Sequence, residues 1–195
     1  MKTIFFDVDT QIDFLYPAGA LYVPGAETIE ANLSKLTRYA VEHSYQIVST
    51  ADAHDEDDAE FKVWKPHCVA RTTGQQKCGR TLLAQRQTLT TAPNQDLAPF
   101  RDAPQIVAEK QMLDCFTNAN LRPLLRLSAA DRYVVYGVVS EYCVRCAAFG
   151  VLETGAQVEL VVDAIKCLDK AAERALIQQF CARGGLATTV SAILA

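Results

Sequence analysis

Three side chains with complementary chemistry each follow an apolar run of strand length. They are Asp9, Lys110 and Cys143. The thiolate form of cysteine is a nucleophile that attacks carbonyl carbons. A neighbouring carboxylate can accept the thiol proton and return it to a leaving group, and an ammonium group can stabilise the thiolate. If the fold brings the three side chains together, their combination predicts a reaction in which Cys143 attacks a carbonyl group.

Each of these residues also has an ordinary structural explanation. An aspartate after a strand often belongs to a turn, Lys110 could be a solvated surface charge, and a cysteine opening a helix is usually a small buried apolar residue. Their shared position at strand ends favours the catalytic interpretation. A helix start at Cys143 and the charge of Lys110 both predict a lowered thiol pKa, and the N–H groups of that turn predict an oxyanion site.

A second group of side chains has the composition of a metal site. Asp52, His54, Glu60 and His67 supply two carboxylates and two imidazoles, and two of the three histidines of the chain are among them. Such ligands suit a divalent ion, with zinc as the first candidate and iron or manganese as alternatives. The acidic run at 55–58 also fits a solvated loop that holds no metal.

Apolar runs of strand length alternate with segments of helical period. The predicted strands are residues 4–8, 46–50, 106–109, 133–139, 158–165 and 186–190, and the predicted helices are residues 27–43, 80–85, 143–153 and 172–180. This alternation predicts an α/β fold, doubly wound (Rossmann-like) in three layers, with a mainly parallel sheet of about six strands. Ligands bind such sheets beyond the carboxyl ends of the strands, where the strand order reverses.

Composition narrows the class of protein. With 195 residues and no internal repeat or linker, we expect a single domain over 1–195, with a loop-rich segment at about 51–104 that covers the site. The formal net charge of −4 gives no basic surface for nucleic acid, and no apolar run has the length of a membrane span. We therefore expect a cytoplasmic protein that acts on a small molecule. Whether the protein forms a homo-oligomer is left open.

The cysteines agree with a reducing compartment. There are seven of them, an odd number without a paired framework. Cys143 and Cys146 form a C-x-x-C, which could belong to a redox or structural zinc site. No second C-x-x-C or C-x-x-H completes a zinc site, so we interpret the motif as part of a helix. Whether the two sulfurs ever pair is left open.

Three segments together resemble nicotinamidases and related cysteine hydrolases of the isochorismatase-like family. Segment 9–14, DTQIDF, followed by Gly19, resembles their opening D-x-Q-x-D-F. Segment 137–145, GVVSEYCVR, resembles their G-x-x-x-x-x-C-V-x block, and segment 108–110, AEK, is similar to their lysine segment. The similarity covers nearly the whole chain, and the order Asp, Lys, Cys agrees with it.

The resemblance implies roles for the first set of residues. It implies Asp9, Lys110 and Cys143 as the catalytic triad. It also implies a non-proline cis peptide between Val138 and Val139, with the N–H groups of Val139 and Cys143 directed at the oxyanion. Isochorismatases proper lack the cysteine, so the cysteine favours amide hydrolysis over vinyl ether hydrolysis.

The second cluster has a counterpart in the same resemblance. Nicotinamidases carry a D-x-H and a later W-x-P-H-C, which are similar to residues 52–54 and 64–68 here. This implies that Asp52, His54 and His67 bind a metal that holds the pyridine nitrogen of nicotinamide. Glu60 stands where many relatives have a further histidine, and Asp57 or Asp58 could take that place instead. The substrate contacts implied by the resemblance are Phe14, Trp64, Val139 and Tyr142.

The sequence therefore predicts hydrolysis of nicotinamide to nicotinate and ammonia through a cysteine thioester. Three alternatives are kept. A cysteine hydrolase of the same family could act on another small amide or ureide, such as maleamate or biuret. The segment FFDVDT also resembles the D-x-D motif of haloacid-dehalogenase-type phosphatases, with Asp7 as nucleophile, although that motif wants Thr or Val where Gln11 stands. The chain could also be a metal-binding module without catalysis.

Overall fold

A seven-stranded sheet runs through the centre of the computed structural model, which describes residues 1–195. Its strands are β1 (Thr3–Val8), β2 (Gln46–Asp52), β3 (Gln87–Leu89), β4 (Gln105–Lys110), β5 (Arg132–Val138), β6 (Gln157–Lys166) and β7 (Leu186–Thr188). The spatial order is β3-β4-β2-β1-β5-β6-β7, and all neighbouring strands are parallel. The predicted α/β class is confirmed, with seven strands where about six were expected.

Helices cover both faces of the sheet. They are α1 (Ile12–Leu15), α2 (Glu30–Glu42), α3 (Leu121–Ser128), α4 (Arg145–Leu152), α5 (Lys170–Ala182) and α6 (Val190–Ile193). Alternate residues of β1 serve opposite layers, because side chains alternate across a strand. Phe5 joins the core beneath α1, α2 and α6, whereas Ile4 and Phe6 join the core beneath α3, α4 and α5. Near-continuous apolar strands are therefore buried on both sides.

The order of the strands brings the candidate residues to one place. The chain leaves β1 toward β2 on one side, and leaves β5 toward β6 on the other. The strand order thus reverses between β1 and β5, where a crevice forms beyond the carboxyl ends. Asp9 follows β1 directly, and Cys143 lies in the turn after β5. Lys110 ends β4 and Asp52 ends β2, so all four arrive at the same edge.

One local prediction was wrong, and some elements were not predicted. Residues 80–85 form turns and not a helix, because the N–H of Leu83 is taken by the Gln105 side chain at 2.7 Å. The edge strand β3 was missed, since only one of its three residues is buried. Helix α3 was missed because Pro123 interrupts its pattern, yet a proline in the first turn removes no helical hydrogen bond.

No helix in the chain is both long and apolar enough to cross a membrane.

Candidate active site

Asp9 is held rigidly at the end of β1. Its backbone adopts a left-handed conformation with φ of 48°, which is uncommon outside glycine and tends to cluster at functional sites. The side chain is fully buried. Its Oδ1 accepts a hydrogen bond from the Thr50 hydroxyl at 2.6 Å, and its Oδ2 lies 2.9 Å from Lys110 Nζ. Burial raises the pKa of Asp9 above its ordinary value, although Lys110 opposes this shift.

Lys110 joins the catalytic candidates to the metal candidates. Its ammonium group contacts Asp9, lies 3.6 Å from Cys143 Sγ, and forms a further ion pair with Asp52 Oδ1. Burial alone would lower the pKa of Lys110, but the charges of Asp52 and Asp9 outweigh burial and raise it well above its ordinary value. Burial likewise opposes ionisation of Asp52, but Lys110 together with His54 and His67 outweighs burial and lowers the pKa of Asp52. The lysine is therefore a permanent buried cation between two carboxylates.

Cys143 lies in a π-helical turn, Ser140–Val144, that continues directly into α4. The thiol-bearing residue is 5% exposed and borders a cavity. The Val138–Val139 peptide bond that precedes the turn is cis. The N–H of Val139 has no acceptor within the chain, whereas its carbonyl oxygen accepts the N–H groups of Tyr142 and Val144. A free backbone donor thus lies beside the cavity, near the sulfur.

The ionisation state of the thiol differs from the sequence-based expectation. Burial raises the pKa of Cys143 well above its ordinary value, Lys110 acts in the opposite direction, and Asp9 adds to the rise. The net shift is upward, because burial of the thiolate outweighs its attraction to Lys110. A raised pKa favours the thiol form. Asp9, which contacts the same Lys110 Nζ, is the candidate base for its activation.

Asp52, His54 and His67 form a buried group suited to a cation. One ligand atom from each lies within 4.8 Å of the others. The Nε2 atoms of His54 and His67 lie 3.9 Å and 3.8 Å from Asp52 Oδ2, and His54 Nε2 has no hydrogen-bond partner. A buried imidazole nitrogen without a partner is costly unless a ligand takes it. Burial disfavours the charged His54 ring, but the neighbouring carboxylates of Asp52 and Asp58 raise its pKa. Two imidazoles and a carboxylate fit a divalent ion such as zinc.

Glu60 is not part of this three-residue group. Its carboxyl borders the same cavity and is half-buried, and burial raises its pKa above the ordinary value. Its role as a fourth ligand stays a prediction.

An apolar cavity connects the two clusters. The predicted substrate contacts Phe14, Trp64, Val139 and Tyr142 all line it, as do Val138, Cys143, Asp52, Glu60 and His67. The Trp64 ring meets Tyr142 edge-on, with centroids 5.4 Å apart, and Phe14 lies 5.4 Å from the His67 ring. A flat ring bound here would be enclosed by aromatic side chains, with the thiol and the metal group both within its reach.

Several residues that shape this site were not predicted. Leu21, Tyr22, Val23, Leu113 and Leu168 complete the cavity lining. Thr50 orients Asp9, and its place two residues before Asp52 on one strand face was a usable signal.

Two polar side chains of the D-x-Q-x-D-F segment support the site from behind. Gln11 bonds the backbone N–H and carbonyl of Asp52, both at 2.8 Å. Asp13 accepts the N–H of Cys68 at 2.7 Å, next to His67.

The alternatives considered from sequence find little geometric support. Asp7, the nucleophile of the phosphatase interpretation, is fully buried and paired with Lys77 at 2.9 Å, away from the cavity. Thr10 and Ser49 occupy its remaining hydrogen-bonding positions. Cys143 and Cys146 are both free, and neither belongs to a metal-like group.

Comparisons with known proteins agree with this arrangement. Residues 3–192 match the family model described as the Isochorismatase domain. A nicotinamidase from Saccharomyces cerevisiae is 25% identical over 191 residues, which cover 84% of this chain and 87% of that protein. The pyrazinamidase of Pyrococcus horikoshii, solved in complex with zinc, superposes with a TM-score of 0.80 at 28% identity, over 97% of this chain and 99% of that one. An N-carbamoylsarcosine amidase from Thermoplasma acidophilum shares the fold, with a TM-score of 0.77 at 21% identity and 97% coverage of both chains.

Proposed function

Because the chain belongs to the isochorismatase domain family, we propose that it is a cysteine amidohydrolase that converts nicotinamide to nicotinate and ammonia. One observation carries the proposal. The ammonium group of Lys110 contacts Asp9 and Cys143 on one side and Asp52 of the metal group on the other, beneath a single aromatic-lined cavity. A ring with an amide on one side and a basic nitrogen on the other matches both ends of that cavity.

The first half of the reaction acylates the cysteine. Cys143 Sγ attacks the amide carbonyl carbon while Asp9 takes the thiol proton. The N–H of Val139, which has no acceptor within the chain, would stabilise the oxyanion together with the N–H of Cys143. The C–N bond then breaks, Asp9 returns the proton to the departing nitrogen, and ammonia leaves a thioester on Cys143. Lys110 holds Asp9 in place and offsets the negative charge throughout.

The second half releases the acid. Water attacks the thioester carbonyl as Asp9 accepts a proton from it, and the C–S bond breaks. The proton returns to the sulfur, so the thiol is regenerated and nicotinate leaves. Phe14, Trp64 and Tyr142 line the cavity and would surround the ring, which limits the approach of other nucleophiles.

Asp52, His54 and His67 would hold the metal, with zinc as the first candidate. When bound, the ion supplies a Lewis acid that ligates the pyridine nitrogen and so orients the substrate. The chain uses Cys143 as its nucleophile, so the residues of the metal group serve binding and not bond cleavage. The metal group is also what favours nicotinamide over other small amides and ureides.

Hydrolysis of nicotinamide and benzamide, with zinc loaded and after chelation, tests the proposal. We expect zinc-loaded protein to prefer nicotinamide by about 100-fold or more in kcat/KM, which corresponds to roughly 3 kcal/mol for one lost ligand bond. Chelation should remove that preference mainly by raising KM for nicotinamide. Equal rates on both amides, insensitive to chelator, would leave a general cysteine amidase. No hydrolysis of any amide would reject the function.

A further inference from the structure

His54 is held by partners on only one side of its ring. Its Nδ1 lies 3.0 Å from Asp58 Oδ2, while Nε2 has no hydrogen-bond partner and faces Asp52. The side chain is fully buried, so bulk solvent does not reach it. Because a carboxylate only accepts hydrogen bonds, the proton of the neutral ring belongs on Nδ1. The lone pair on Nε2 then points into the metal group.

The opposite tautomer would be unfavourable next to Asp58. A proton on Nε2 would turn the Nδ1 lone pair toward the carboxylate, which places two acceptors 3.0 Å apart. His67 is oriented in an equivalent way, but by the carbonyl oxygen of Lys65 at 2.7 Å from its Nδ1. A backbone carbonyl cannot be removed by substitution. Of the two groups that orient the rings of His54 and His67, only Asp58 is a side chain. Substitution of Asp58 can therefore test how ring orientation affects metal binding.

The second oxygen of Asp58 is also occupied. Oδ1 accepts the N–H of Glu60 at 2.8 Å and caps the 3-10 turn Ala59–Lys62. The N–H of Trp64 bonds in turn to the Glu60 carbonyl at 3.0 Å. One carboxylate thus links His54 to the turn that brings Glu60 and Trp64 to the cavity. With both oxygens engaged, it is a fixed acceptor and not a mobile surface charge.

We propose that Asp58 is a positioning residue that sets the tautomer of His54 and anchors the Glu60–Trp64 turn, and that it is not itself a metal ligand. The two nitrogens of an imidazole point away from each other, so a group bonded to Nδ1 is remote from an ion on Nε2. Carboxylates that hold metal-bound histidines in this way tune affinity from outside the ligand shell. The inference rests on the metal site of the proposed function.

The test compares D58A and D58N with D57N, whose parent side chain is exposed one residue earlier in the same loop. In metal-free protein labelled with ¹⁵N-histidine, correlation spectra report the tautomer of each ring, and His43 and His67 serve as internal references. We expect the Nδ1-protonated form of His54 to dominate in wild type and D57N and to lose that dominance in D58A. Zinc affinity, measured by competition with a chelating dye, should fall about 10- to 100-fold in D58A.

D58N removes the negative charge of Asp58 but keeps the shape of its side chain. Because its amide keeps one acceptor oxygen, D58N should lower zinc affinity less than D58A does. D58N also provides a test if urea titration shows that D58A is not folded. An unchanged tautomer in a folded D58A, or an unchanged zinc affinity in a folded D58A or D58N, would overturn the inference. Zinc binding that depends on Asp58 in a protein that hydrolyses no amide would instead reject the proposed function and leave this inference standing.

Discussion

A single ammonium group organises the chemistry of this protein. Lys110 is 1% exposed and lies between Asp9 and Asp52, with the sulfur of Cys143 at 3.6 Å. A buried lysine is tolerated only when carboxylates compensate its charge. The compensation here comes from Asp9 of the candidate catalytic cluster and from Asp52 of the candidate metal group, so the two clusters share one electrostatic unit. Changes at Lys110 are therefore expected to affect both.

Replacing the nucleophile should abolish turnover without unfolding the chain. We expect Cys143→Ala to reduce kcat by about 10⁴-fold or more, because the thioester can no longer form. Cys146→Ala, one helical turn away, is the matched control and should keep most of the activity. Steady-state ammonia release measures both, with circular dichroism as the check of folding. Loss of activity in Cys146→Ala but not in Cys143→Ala would contradict the assignment.

The pH dependence of thiol alkylation tests the resting state of Cys143. Since burial raises its pKa, alkylation by iodoacetamide should have its midpoint at a higher pH than that of the exposed Cys181. Lys110 lowers the pKa of Cys143, so Lys110→Met should move the midpoint higher still. Peptide mass spectrometry at a series of pH values follows each cysteine separately. A midpoint below that of Cys181, or one unmoved by Lys110→Met, would show that the thiolate is stabilised in another way.

At the scale of elements, loop 74–77 is tied to the segment that carries Asp9. The N–H of Asp13 bonds to Gly74 O at 3.0 Å, and that of Ile12 bonds to Gln76 O at 2.9 Å. A Cβ at Gly74 would lie only 2.1 Å from Asp13 Oδ2. The same oxygen accepts the N–H of Cys68, beside the metal candidate His67. The glycine therefore leaves room for a carboxylate that braces the site.

Gly74→Ala should destabilise the fold by about 1–3 kcal/mol, the range found for overpacked sites. It should also raise KM, since Asp13 must shift and Cys68 loses its acceptor. Gly79→Ala is the control, because a Cβ there meets nothing within 4 Å. Urea unfolding and nicotinamide kinetics measure both variants. If Gly74→Ala is as stable and as active as Gly79→Ala, the proposed bracing of the site by Asp13 is wrong.

Sequence alone predicted the elements whose burial patterns are regular. Strands β1 and β5 bury nearly every residue, β6 buries six of its ten, and all three stood out as apolar runs. The edge strand β3 exposes two of its three residues and left no comparable signal.

In the candidate site, the residue types and motif spacing identified the side chains that the structure brings together, but not the residues that orient them. Asp58 is one of four consecutive acids at 55–58, and nothing in that run distinguishes the one that faces His54. The same holds for the tautomer of His54, which depends on tertiary contacts.

At the scale of the whole molecule, charge and polarity point to neutral substrates. The formal net charge is −4. The cavity lining contains two acids, Asp52 and Glu60, and no lysine or arginine. The one buried cation nearby, Lys110, is already paired with two carboxylates. In metal-free protein, a substrate carboxylate entering this cavity would lose its hydration without gaining a cationic side chain, and such transfers are costly. With the proposed metal bound, the ion would be the only positive charge at the cavity, and the proposed function assigns it to the pyridine nitrogen of nicotinamide.

Amides that carry a carboxylate, such as N-carbamoylsarcosine and maleamate, should therefore be poor substrates. We expect their kcat/KM to be about 100-fold or more below that of nicotinamide, because an unpaired carboxylate costs roughly 3 kcal/mol or more to bury. Leu168 lines the rim of the cavity and is 48% exposed, so Leu168→Lys offers a cation to such substrates. The Leu168→Lys variant should reduce the difference in kcat/KM between nicotinamide and the anionic amides several-fold. Leu127→Lys, on the exposed side of α3, should leave that difference unchanged. Steady-state kinetics on nicotinamide, N-carbamoylsarcosine and maleamate, measured side by side for each variant, give this selectivity. If wild-type protein hydrolyses the anionic amides as fast as nicotinamide, the cavity does not select by charge, and the maleamate-like alternative becomes the better account of the site.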